Sequence, residues 1–69
     1  MREVLPDGEY WATCRERTRI AASANGYGAV FPQAKMTVAD GWATFTRNGE
    51  PVWDCSVRFA VAHFDIQPA

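Results

Sequence analysis

No stretch of this chain approaches the ~20 apolar residues that span a bilayer, and the opening "MREVLPDGEY" lacks the apolar segment of a secretory leader. These absences predict a cytoplasmic protein with no membrane partner. Net charge is nearly absent as well. Seven Lys plus Arg stand against eight Asp plus Glu, −1 overall, so no global field steers the molecule toward nucleic acid. Linkers, charge blocks and low-complexity tracts are missing, which makes residues 1–69 one domain near the lower size limit for an independent core. There is no CxxC or HxxxH ligand pair and no Gly-rich phosphate loop, since "NGYG" from Asn25 to Gly28 is a turn without a following helix. No metal site and no cofactor are expected.

Cysteine is scarce and histidine scarcer. In a reducing compartment Cys14 and Cys55 are expected as free thiols. Cys55, His63 and Asp65 make the only nucleophile, base and orienter set to be considered, and no nucleophile elbow surrounds Cys55. A packed thiol and a partly exposed imidazole are the plainer reading, so the chain is expected not to be an enzyme.

Turns and aromatics are what the sequence has in quantity. Asp7-Gly8, Asn25-Gly26, Asp40-Gly41 and Asn48-Gly49 are Asx-Gly pairs, which suit the two positive-φ positions of a type I′ hairpin turn. They predict a mainly β fold: a small antiparallel meander or partly open barrel of about five strands, with one short C-terminal helix. From Tyr10 to Ala22, Tyr10, Ala12, Cys14, Thr18, Ile20 and Ala22 alternate with Trp11, Thr13, Arg15, Arg17 and Arg19, the period of a strand, bent near Glu16. A competing helix ended by Asn25-Gly26 puts Arg17 on its apolar stripe. "YGAVF", Tyr27 to Phe31, is expected as a second strand, and Val57 to Phe64 as the helix, N-capped by Ser56. The shared Trp-Ala-Thr of "DGEYWATC" and "DGWATFT" reads as hairpin grammar used twice, because the first copy has Glu9 and Tyr10 inserted after its glycine.

Two-residue turns at Asp40-Gly41 and Asn48-Gly49 impose a register. Ala39 is expected to face Trp42, Thr37 to face Thr44, and Lys35 to face Thr46. Beyond the second turn, Arg47 pairs with Glu50, Phe45 with Val52, Thr44 with Trp53, and Trp42 with Cys55. That register gives one face to Met36, Val38, Ala43, Phe45 and Val52. The other carries a Thr-rich surface on which Trp42 and Trp53 are diagonal neighbours.

Two binding faces follow. Trp42, Trp53, Thr44 and Thr37 would dock a protein partner as an aromatic hot spot. Trp11, Arg15, Arg17 and Arg19 would instead bind single-stranded nucleic acid or a nucleotide by stacking and phosphate contacts. Homodimerisation through an edge strand is a further expectation. In size and style the chain looks like the accessory proteins of phages and mobile elements, including inhibitors of host systems, a likeness that no motif carries and that transfers no residue.

Overall fold

A computed structural model describes residues 5–69; the first residues of the stretch read for a leader lie outside the described residues. The chain runs β1 (Gly8–Cys14), α1 (Arg19–Ala24), β2 (Gln33–Ala39), β3 (Trp42–Arg47), β4 (Glu50–Ser56), α2 (Val57–His63) and β5 (Phe64–Pro68). The strands form one open antiparallel sheet in the order β4-β3-β2-β1-β5. Because β4 and β5 lie at opposite edges, the α2 connection must cross a face of the sheet. Among the described residues no helix is long and apolar enough to cross a membrane.

Two of the four Asx-Gly pairs form the expected hairpin turns. Asp40 and Gly41 have φ of 54° and 78°, and Asn48 and Gly49 have 56° and 81°, the positive-φ pairs that a type I′ turn needs. Asn25-Gly26 serves another purpose. It ends α1: Gly26 N–H donates to Ser23 O and Tyr27 N–H to Ala22 O, the paired bonds that close a helix through a positive-φ residue. Thr18 caps the other end, its Oγ1 accepting from Ala21 N–H.

The expected strand from Tyr10 to Ala22 therefore stops at Cys14, and its second half is a bend and a short helix. Helix α1 begins after Arg17, so that arginine never enters an apolar stripe, and Ile20 is 82% exposed. The expected strand from Tyr27 to Phe31 is likewise irregular chain, held down by side chains. Tyr27 OH donates to Glu16 Oε2 at 2.7 Å, and the Arg47 guanidinium donates to Val30 O at 3.0 Å and Gln33 O at 2.8 Å. Gly28 is required by proximity, since a Cβ there would collide with Ser23.

The C-terminal helix forms where expected, with Ser56 Oγ accepting from Phe59 N–H. It is followed directly by β5, a strand that the sequence reading did not separate from the helix. In β5, Phe64 and Ile66 turn toward the core while Asp65 and Gln67 turn outward. One face of the sheet is covered by α2 and by the α1-to-β2 segment. There Tyr27, Phe45, Trp53, Phe59 and Phe64 pack edge-on or tilted, with ring centroids 4.9–6.2 Å apart. Ala12, Met36, Val38 and Ala43 complete the buried floor.

Candidate functional site

The register sets what the opposite face displays. Around the first turn Ala39 pairs with Trp42, Thr37 with Thr44 and Lys35 with Thr46, as expected. Around the second, Arg47 pairs with Glu50 and Thr46 with Pro51, and then the ladder shifts by one residue at a bulge. Phe45 consequently faces Trp53, Thr44 faces Asp54, Ala43 faces Cys55, and Trp42 faces Ser56. The expected pairs Phe45 with Val52, Thr44 with Trp53 and Trp42 with Cys55 do not form. Val52 is the extra residue, and it packs with Trp53 against the core.

This one-residue shift moves every following side chain of β4 to the other face. Trp53, partly buried, packs with the core aromatics, its ring 5.4 Å from Phe45 and 5.8 Å from Tyr27. Asp54 takes the outward place expected for Trp53. Trp42 therefore keeps Thr37 and Thr44 as neighbours but loses Trp53. Its indole Nε1–H donates to Asp54 Oδ2 at 2.8 Å, which fixes the ring's direction while leaving 49% of the residue exposed.

The second expected constellation is also divided. Trp11 lies on the same uncovered face, opposite Lys35, and is 41% exposed. Lys35 sits over its ring at 6.0 Å and pairs with Glu9 at 3.1 Å. The three arginines leave this face because β1 ends before them. Arg15 donates to Asp65 at 3.1 Å, to Ala62 O at 3.1 Å and to Phe64 O at 3.2 Å, capping the last turn of α2. Arg19 lies over Phe31 at 5.7 Å, and Arg17 is exposed in the bend. No continuous phosphate track links them to Trp11.

The uncovered face thus runs as a polar sheet with two aromatic anchors. Counting two strand spacings and four residues of rise between them, Trp11 and Trp42 stand about 16 Å apart. Thr37 and Thr44 lie between them. Its charged side chains include two ion pairs, Glu9 with Lys35 and Asp65 with Arg15, together with Asp54. Among the described residues, depressions flanking the surface include one of about 430 Å³ at the β4 edge, lined by Thr44, Pro51, Val52, Trp53 and Asp54, and one of about 260 Å³ whose lining includes Trp11, Gln33, Lys35 and Asn48. Both sheet edges are blunted, β4 by Pro51 and its bulge and β5 by its length and Pro68.

The cysteines are unpaired and buried, on β1 and β4 with two strands between them, well beyond the ~7 Å Cα separation a disulfide spans. Burial pushes the Cys55 thiol up to about 11, with the Asp54 charge adding to it. Burial and the Glu16 charge raise Cys14 as well, partly offset by Arg47. His63 is exposed and stacks on Phe59 at 4.1 Å. A thiol held protonated by burial is a weak nucleophile. Among the described residues no cluster of three or more His, Cys, Asp or Glu is arranged to hold a metal ion. The Asp54 contact is the feature that sequence reasoning missed, because it depends on the bulge.

No protein-family model, curated protein or solved structure matches this chain.

Proposed function

We propose that this protein is a small, non-enzymatic binding module that docks a protein partner on its uncovered sheet face. The observation that carries this reading is Trp42, half exposed yet held in one direction by Asp54. An aromatic anchor oriented before contact loses less freedom on binding, which is the property that makes hot spots effective. Trp11 is the second anchor, and the Thr37 and Thr44 surface between them supplies hydrogen-bonding groups without charge. The cations that reach this face, Lys35 and Arg15, are paired with Glu9 and Asp65, which disfavours a phosphate backbone there. Both blunted edges likewise disfavour strand-to-strand pairing with a second copy.

The test is comparative capture from the native host with three immobilised forms: the parent, the Trp11→Ala/Trp42→Ala double variant, and Ile20→Ser as a control on the far side. Docking as proposed requires a protein retained by the parent and control but lost from the double variant. The rival outcome is a labelled single-stranded oligonucleotide that binds at low salt and is released by changing Arg15, Arg17 and Arg19 to Ala, with the salt slope falling in parallel.

A further inference from the structure

The two tryptophans of the uncovered face differ in what accompanies them. Trp11 has its own cation and carboxylate within the chain, Lys35 over the ring and Glu9 on the ammonium. Trp42 has a carboxylate at its indole edge, and no cationic side chain of the described residues stacks on its ring. Asp54 makes no ion pair among the described residues, and its hydrogen bond with Trp42 uses Oδ2. Asp7 and Asp40 lie at the same end of the sheet, where Asp7 Oδ1 accepts from Asp40 N–H. The arginines of the β1 bend lie at the opposite end, and Arg58, in the first turn of α2, lies toward the Trp42 end but is engaged in contacts of its own. An exposed indole face next to an acceptor carboxylate is complementary to a guanidinium, which is planar, stacks on aromatic faces and donates laterally to carboxylates.

We propose that the Trp42 and Asp54 corner receives an arginine side chain from a basic, extended segment of the partner. The inference rests on the docking reading and specifies its partner's chemistry. The guanidinium lies on the indole and donates to Asp54 Oδ1, while Oδ2 keeps the indole N–H. The depression bordered by Thr44, Pro51 and Asp54 accommodates the segment that carries it.

The experiment uses the whole chain and a ten-residue peptide of alternating Arg and Thr, alongside the same peptide with citrulline, which keeps the shape and removes the charge. The three indole N–H resonances report the three tryptophans separately. The expected result is a saturable shift at Trp42, weakened about tenfold or more by citrulline and by Asp54→Asn, and within about twofold of the parent in Trp11→Ala. Equal binding of the two peptides, an Asp54→Asn affinity within about twofold of the parent, or no saturable shift overturns the proposal. In the capture assay, a partner lost with Trp42→Ala but kept with Asp54→Asn also overturns it and leaves the docking reading standing. A partner kept by the Trp11→Ala/Trp42→Ala variant removes the docking reading itself.

Discussion

The two hairpins that share β3 begin alike and end differently. Both turn through an Asx-Gly pair with two positive φ angles, and both start in the register that a two-residue turn dictates. The β2–β3 ladder keeps that register to its end, whereas the β3–β4 ladder loses it between Phe45 and Thr46. The difference decides the fate of two tryptophans. Trp42 precedes any shift on its own strand and stays outside; Trp53 follows the bulge and goes inside. A turn sets the pairing next to it, but the pairing several residues away is also governed by where the largest apolar side chain is best buried.

Replacing Trp53 by Ala is the strongest challenge to this comparison. It removes a ring that contacts Tyr27, Phe45, Phe59 and Phe64, and is expected to destabilise the fold by about 3 kcal/mol or more, read from denaturant midpoints. A small effect would return Trp53 to the surface. Gly49→Val is expected to cost about 1–2 kcal/mol, because φ of 81° suits glycine and resists a β-branched residue. Deleting Val52 sharpens the comparison further. It removes the extra residue, restores the unshifted count, and should leave Phe45 opposite Trp53 with Asp54 outside, at a cost of about 1 kcal/mol for the lost Val contacts. Loss of the Trp42 to Asp54 hydrogen bond in that variant, seen at the indole N–H, would show that the bulge itself sets the outer face.

The covered side also titrates. Tyr27 is pushed up to about 12, chiefly because its hydroxyl donates to Glu16, with burial adding to it, and Cys55 is pushed up to about 11 by burial. Both groups are held neutral by the fold, so the stability they contribute is complete below the ordinary values of 9.0 and 10.0. It is lost as pH rises through about 11 and 12. Denaturant midpoints measured from pH 8 to 12 should fall at the alkaline end, and Tyr27→Phe should flatten the part due to the phenol. A comparatively small effect is expected on the other tryptophan: Trp42→Ala should cost about 1 kcal/mol of stability while changing the docking surface.

Much of the sheet was legible because its rules are local. Alternation over β2 and β3, the Asp40-Gly41 and Asn48-Gly49 turns, and the Ser56 cap of α2 each depend on residues within a few positions. The α1 segment was readable only in part. Thr18 and Asn25-Gly26 are proper helix ends, but the alternating arginines mimic a strand until Arg15 is seen capping α2, 47 residues away at Ala62. The site was half legible for the same reason. Trp42, Thr37 and Thr44 lie together as the turn arithmetic required, and Trp11 joins them through β1, whose pairing with β2 no short-range signal announces.

By itself, then, the sequence determined a mainly β antiparallel domain, two tight hairpins and the outward place of Trp42, since φ > 0 at Asx-Gly pairs and a period of two are properties of neighbouring residues. Only the tertiary structure decided that Trp53 is core, that Asp54 replaces it beside Trp42, and that the arginines cap and brace instead of lining a face. The physical reason is that burying an indole among four other rings and satisfying the carbonyls at a helix end are gains available only once distant segments meet. They outweigh the loss of a regular ladder and of a regular strand.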